Sequence, residues 1–461
     1  MNEPIISKFY FVVFFNSKRI HTFAEINNIE LQDMNIFSLS TAWAKRIALL
    51  LSMAMVLAAC TETENTTDEN EPATPTVEYG AGSCVPIMQP TEFIFLSWYE
   101  LIDISKDNKL EQFKAPTTEW RMQKLIEAGF NTYFDFRLNF EEAEALLTLG
   151  DKMGMNIIVE CHELHDSTQT EHVVDSMKKH PSLYAYTICD EPDLGEYPEA
   201  RRRIREIYNY DTIHPCYINI YPNYGINEWT EERYLETVRH YLRTVPVSFL
   251  SFDYYPVVME EDERTLRDAW YHNLEDIRTA ALEAQVPIWS FALAKPHYSY
   301  PWPTLADLRV QHFSNLVYGA VAFQYFTTRT IVWKDKIVDA VYPLVKQVNQ
   351  ELKQMEPLFL GADIKDIWHT GDSIPRGTKA LTSYPAGISK IATEGEGTVV
   401  SYFTNKGKQY IAFVNRSLLS ETTLEINFET AATHVAKDGT ESPVEASYTI
   451  EPGDIKIFTW K

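Results

Sequence analysis

The sequence predicts a (β/α)8 barrel followed by a small antiparallel β-sandwich, and three observations carry that expectation. From about residue 90, short apolar runs rich in β-branched residues alternate with longer amphipathic stretches; the runs number eight; and after Pro357 the pattern changes to short strands separated by turn residues. The runs lie at 93–98, 130–135, 156–161, 182–189, 215–221, 247–254, 286–293 and 320–326. They are continuously apolar, as strands covered on both faces of a parallel sheet must be. Helical patterns fill the gaps at 118–128, 141–153, 198–210, 231–243, 263–284 and 305–318, with a last one at 338–355. Eight repeats over roughly 260 residues match a closed barrel. A doubly wound open sheet is the alternative, but neither GxGxxG nor GxxxxGKS/T occurs to give it a phosphate loop. The barrel is therefore placed at 89–356 and the sandwich at 357–461, the latter on segments 397–403, 409–414, 422–428, 447–450 and 455–460. Asn405-Lys406-Gly407 and Lys437-Asp438-Gly439 read as hairpin turns.

The N-terminus bears on the compartment. Lys45-Arg46 precedes an apolar run over 47–57 that ends in Leu57-Ala58-Ala59-Cys60. A basic start, a short apolar stretch and small residues at the cut form a secretory signal, too short to span a bilayer, which takes about 20 residues. Cysteine after Leu-Ala-Ala resembles the bacterial lipoprotein signal, which implies a lipidated Cys60 as the mature N-terminus. Residues 1–59 are then a signal region, with Met34 placed where a signal of ordinary length begins. Residues 60–88 are a polar tether poor in core-forming residues. Its acidic start, Thr61-Glu62-Thr63-Glu64, resembles surface-export signals of gut Bacteroidetes lipoproteins. The expectation is a protein lipid-anchored to the outer membrane of a Gram-negative cell, at its periplasmic or surface face. Cys161, Cys189 and Cys216 read as buried thiols, and with Cys84 they imply no disulfide framework.

A net charge of −24 repels phosphate backbones and argues against a nucleic-acid partner. Aromatic residues make up 13% of the chain, enough to fill a barrel and still wall a sugar-binding cleft. No zinc-type Cys/His spacing appears, and no metal or organic cofactor is expected.

Barrel active sites form at the C-terminal ends of the strands, so the side chains there decide the chemistry. They are Trp98, Tyr99 and Glu100; Asp135 and Arg137; Glu160, His162 and Glu163; Asp190 and Glu191; Asn219, Tyr221 and Asn223; Asp253, Tyr254 and Tyr255; Trp289, with Lys295 and His297 beyond; Gln324 and Tyr325. The ring is polar, carboxylate-rich and aromatic, which suits a carbohydrate. Its sharpest feature is Cys189-Asp190-Glu191-Pro192, where an apolar strand runs into two adjacent carboxylates and a proline that stops it. Ionisable groups at a buried strand end are costly, and sites that do acid–base work use that cost. The bland reading is a carboxylate pair that caps a helix or meets an arginine.

Strand four ending in Asp190-Glu191-Pro192 resembles clan A glycoside hydrolases, and the resemblance implies that Glu191 is the general acid. A closer resemblance is to a set of barrel proteins from gut bacteria, over about residues 90–355. It rests on Asp190-Glu191-Pro192 with Asn219-Ile220-Tyr221-Pro222-Asn223, Asp253-Tyr254-Tyr255-Pro256 and Tyr325-Phe326-Thr327. One departure stands out: clan A enzymes place a nucleophilic Glu on strand seven, and Pro287-Ile288-Trp289-Ser290-Phe291-Ala292-Leu293-Ala294 holds no carboxylate. Three readings stay open. An inverting hydrolase would use Asp253, or less readily Asp135 or Glu160, as base. Adjacent Asp-Glu also resembles family 20 hexosaminidases, which implies Asp190 orienting a substrate acetamido group with Tyr255 helping. A glycan-binding protein on a degenerate hydrolase barrel is the reading from another class. Trp98, Tyr99, Asp135, Glu160, His162, Asn219, Tyr221, Tyr255, Trp289, Gln324 and Tyr325 are the expected sugar contacts. Trp302 and Trp333 are candidates for outer subsites.

Overall fold

The computed structural model describes Met88, residues 90–332 and residues 340–461. The signal region, Cys60, Cys84, Trp333 and the tether but for Met88 lie outside them. The eight apolar runs form eight parallel strands: β1 (Ile94–Trp98), β2 (Thr132–Leu138), β3 (Asn156–Cys161), β4 (Leu183–Asp190), β5 (Cys216–Ile220), β6 (Leu250–Phe252), β7 (Ile288–Leu293) and β8 (Ala320–Phe326). They close into a barrel in which β1 pairs with both β2 and β8. The main helices following them are α1 (Pro116–Glu127), α2 (Phe140–Met153), α3 (Thr170–Met177), α4 (Tyr197–Tyr208), α5 (Tyr234–Thr244), α6 (Trp270–Ala284), α7 (Leu305–Val317) and α8 (Val341–Phe359).

Each strand splits its residues between two apolar layers. Leu96, Phe134, Ile158, Tyr217, Trp289 and Phe291 fill the barrel, while Phe95, Tyr133, Ile157, Ile218, Ala292 and Tyr325 face the helices. Burial on both sides is why the runs read as unbroken apolar stretches. Met88 lies at the barrel's opposite end, where Tyr184 donates to its sulfur at 3.5 Å and its N–H donates to the Ser248 carbonyl at 3.1 Å.

Several elements depart from the sequence reading, and three of the departures concern the main helices. α3 was not expected; it has eight residues, too few for a clear period. The helix expected over 263–284 begins at Trp270, and its predicted first turns supply the second strand, Glu263–Leu266, of a hairpin with Val257–Glu260. The hairpin turns on Glu261 and Asp262, both at positive φ (49° and 68°), a tight turn without the usual Asn-Gly signal. Finally, α8 runs through Pro357 to Phe359. A proline so near the end costs the helix little beyond one backbone bond. The Asn405 side-chain amide donates to the carbonyls of Leu358 (2.9 Å) and Leu360 (3.2 Å) just past it.

The remaining strands are β9 (Asp363–His369), β10 (Ile388–Thr393), β11 (Thr398–Asn405), β12 (Lys408–Asn415), β13 (Thr422–Phe428), β14 (Ala432–Val435), β15 (Glu441–Pro443), β16 (Tyr448–Ile450) and β17 (Ile455–Trp460). They build a six-stranded sheet (β9-β11-β12-β17-β14-β15) and a three-stranded one (β10-β13-β16). Val400, Ile411, Phe413, Leu424, Ile426 and Phe458 lie between the two sheets. The expected hairpin at Asn405-Lys406-Gly407 joins β11 to β12, with Lys406 and Gly407 both at positive φ. Val399, Phe403 and Ala412, on the other face of the larger sheet, join the barrel's outer core. Beside that contact, Arg309 of α7 and Lys437 of the sandwich share the carboxylates of Glu351 and Asp454.

Candidate active site

The site is built from the barrel interior upward. Trp98 donates through Nε1 to the Tyr217 hydroxyl (3.3 Å), which donates to the Gln324 side-chain oxygen (2.7 Å). Gln324 donates to Ser251 Oγ (2.9 Å), and Ser251 donates to Asn219 Oδ1 (2.9 Å). Since its oxygen is thus engaged, Asn219 must turn Nδ2 toward the mouth. There it donates to Asp253 Oδ1 at 3.0 Å and reaches Asp190 Oδ1 at 3.4 Å. One amide therefore holds carboxylates from β4 and β6, with those two oxygens within the sum of the distances, about 6.4 Å.

A bulge decides which β4 residue joins them. Strict alternation from Ala185, an interior residue, would aim Cys189 inward and Asp190 toward the helices. The pairing of β4 with β5 slips between Thr187 and Cys189, and Asp190 comes level with Asn219. Bulges near active sites commonly re-aim a side chain in this way. Glu191 follows with its N–H on the Asn219 carbonyl (2.8 Å) and φ of 49°. Glu100 and Arg137, at the ends of β1 and β2, are likewise left-handed (φ 70° and 60°). Such backbone costs about 1–3 kcal/mol per residue and gathers where function fixes geometry.

The three carboxylates share one electrostatic problem. Asp190 is exposed at the mouth, while Glu191 and Asp253 are half-buried. Desolvation, then repulsion from Asp253, raises both Asp190 and Glu191 above the usual carboxylate range; Asp190 adds to the rise at Glu191. Desolvation raises Asp253 too, opposed by the Asn219 amide and the Tyr255 hydroxyl. Glu191, which no such donor faces among the described residues, retains a proton most readily, and Asp253 ionises most readily.

The sign of the linked stability follows. A carboxyl group raised on folding stabilises the fold fully below its unfolded pKa, about 4, and that contribution is lost as pH rises through the folded value. Asp190→Asn or Glu191→Gln should then melt above wild type at pH 8, by on the order of 1–3 °C. The excess should shrink toward zero by about pH 5, where wild type carries the proton itself. Melting curves of each variant minus wild type across that window check this; a difference that grows toward low pH contradicts it.

Other expected contacts divide by which way they face. Tyr255 is half-buried among Phe291, Tyr300 and Phe326, and Tyr221 lies beside Trp229 within the field of Glu191. Trp98 stacks on Phe134 (4.4 Å, 22°), with Tyr99 against Phe136 and Phe326, as an aromatic floor. Glu160 accepts from the Arg137 N–H (2.9 Å) and pairs with His165 (2.7 Å); burial opposes its ionisation, but those bonds hold its pKa below the usual range. His162 is exposed and makes no hydrogen bond to it.

Besides Asn219, whose amide serves the carboxylates, four assignments need correction. Asp135 alternates with Tyr133 toward the helices, fully buried, accepting from the Tyr133 hydroxyl (2.6 Å) and the Phe136 N–H; burial pushes it up to about 7. Tyr325 also points outward, its hydroxyl on Asn349 (2.8 Å). Trp289 is wholly inside the barrel, stacked on Phe249 (3.9 Å, 8°). Gln324 is also fully buried, a link in the chain beneath the carboxylates. The sequence reading missed Tyr217, Ser251 and His165. Period-two spacing back from Asn219 and Asp253 marks the first two. At the end of β7, where a nucleophile was expected to be missing, Lys295 faces Glu100 at 3.8 Å.

No family model matches the sequence, and no curated protein matches it. Among solved structures the chain is similar to an α-amylase from Geobacillus thermoleovorans complexed with acarbose: TM-score 0.46, 8% identity, 80% of this chain and 98% of that one. It is similar to a cyclomaltodextrin glucanotransferase (TM-score 0.47, 8% identity, 80% and 99%) and to a family 5 mannosidase from Rhizomucor miehei (TM-score 0.37, 11% identity, 56% and 93%). At these values the likenesses carry no information about substrate or mechanism.

Proposed function

We propose that the chain is a glycoside hydrolase acting on a poly- or oligosaccharide, with Glu191 as the general acid. The observation that supports this most is the trio Asp190, Glu191 and Asp253 at the C-terminal end of the barrel, the two aspartates held on one oriented amide, over an aromatic floor. Glycosidic cleavage needs one carboxyl group that keeps its proton and a second group that stays charged. Glu191 protonates the leaving oxygen. Two routes complete the reaction: Asp253 activates a water with inversion, or Asp190 orients a substrate acetamido group that attacks with retention. Neither needs a carboxylate on β7. Lipid anchoring through Cys60 belongs to the same proposal and places the enzyme at the outer membrane.

The second reading, a surface glycan-binding protein, draws on the β7 end, which offers Lys295 in place of a nucleophile. Polysaccharides and aryl glycosides, N-acetylated ones included, incubated with wild type and Glu191→Gln and followed by NMR of the product anomers, separate the readings. Inverted product supports Asp253, and retained product confined to N-acetyl substrates supports Asp190. Equal binding by both proteins without cleavage overturns the enzyme.

A further inference from the structure

We infer that a second ligand site lies where the barrel meets the sandwich, built for a sugar that carries a carboxylate or sulfate group. A half-open cavity of about 740 Å³ separates the hairpin that follows β6 from the loops after β9, β10 and β12. That volume is in the range of sites that take a small organic molecule and is far larger than a lone oxyanion needs. Arg264, Arg267, Arg376 and Arg416 line it, against two acidic groups, Asp268 and Glu396. In a chain of net charge −24, an arginine-rich hollow is a local reversal of the surface field.

Arg264 and Arg376 have carboxylate partners in Asp307 and Glu231. Arg267 and Arg416 have none among the described residues. Arg267 lies over the rings of Tyr224 (4.6 Å) and Tyr300 (5.7 Å). Arg416, 8% exposed, gives Nη2 to the backbone carbonyls of Thr370 and Ser373 at 2.7 and 2.8 Å and to that of Glu396. The Nε of each is buried without an acceptor, and so is Thr265 Oγ1 at the same wall. Native proteins rarely leave buried donors open, and the guanidinium fork matches a carboxylate or sulfate in two places. Leu266, Pro375 and Leu418 supply apolar surface beside them, which a sugar ring covers and a bare ion does not.

The test is calorimetric titration of the full chain with digalacturonic acid, cellobiose and sodium sulfate at constant ionic strength. Wild type, Arg267→Gln, Ser373→Asp and Glu191→Gln are compared. Ser373→Asp sets a carboxylate at an exposed position on the cavity rim, so it keeps the experiment decisive where removing the half-buried Arg267 upsets folding. Digalacturonate should bind in the micromolar to millimolar range and cellobiose much more weakly. Both cavity variants should weaken digalacturonate by about tenfold or more, and Glu191→Gln should leave it unchanged. Cellobiose binding equally well, digalacturonate failing to bind at millimolar levels, or a loss confined to Glu191→Gln each overturn the site. Sulfate competing as strongly as digalacturonate overturns the sugar part. None of these outcomes depends on turnover at Glu191.

Discussion

Glu191→Gln is expected to lower turnover of a glycan with an ordinary sugar leaving group by about 10²–10⁴-fold while changing its affinity by less than about threefold. The amide keeps the shape and removes the transferable proton. Glu191 is suited to hold that proton because desolvation and the charges of Asp253 and Asp190 both oppose its ionisation. Wild-type kcat should therefore fall on the alkaline side as Glu191 ionises, and the variant should lose that limb. Aryl glycosides with acidic phenols need little protonation, so the variant should retain far more of their turnover. Steady-state kinetics across pH on both substrate types tests this. Equal losses on good and poor leaving groups would point instead to a collapsed site, and melting the variant distinguishes that.

How much of this was legible beforehand follows from what each feature depends on. The barrel strands announced themselves because double-sided burial demands unbroken apolar runs, and Asp190-Glu191-Pro192 was visible because charges at the end of such a run are rare. Direction was harder to read. Asp190 faces the mouth only because of the slip between Thr187 and Cys189, a pairing event between strands that no local composition marks. Asp135 looked equivalent, yet its strand reaches it without a slip from Phe134, and it faces the helices with Tyr133. The hairpin was hidden for a related reason: residues 263–269 continue the helical pattern of Trp270–Ala284 back toward the turn, and tertiary packing overrides it. Asn219 was read as a sugar ligand, whereas its Oδ1 is committed to Ser251 and its Nδ2 to two carboxylates. Such roles belong to a hydrogen-bond chain that crosses the barrel from β1 through β5, β8 and β6, and only the closed fold brings those strands within reach.

Trp289 shows the same ambiguity on the apolar side, and its substitution should have the largest effect on stability. A tryptophan in an apolar barrel run reads as a sugar platform, but Trp289 is the second residue of β7, away from its C-terminal end. Here it has no exposed surface, lies flat on Phe249 and is flanked by Tyr217 and Tyr184. Trp289→Ala should cost about 3–5 kcal/mol through the cavity it leaves, lowering Tm by about 5–10 °C. Trp289→Phe should cost much less, since it keeps a ring against Phe249 and removes an indole N–H that has no acceptor among the described residues. Because the ring lies below the Trp98–Phe134 floor layer, Trp289→Phe should bind glycans as wild type does, whereas Tyr255→Ala, at the mouth, should weaken them with a small change in Tm. Paired melting and binding measurements decide it. A Trp289→Phe protein that melts normally but loses its glycan would return this residue to the cleft.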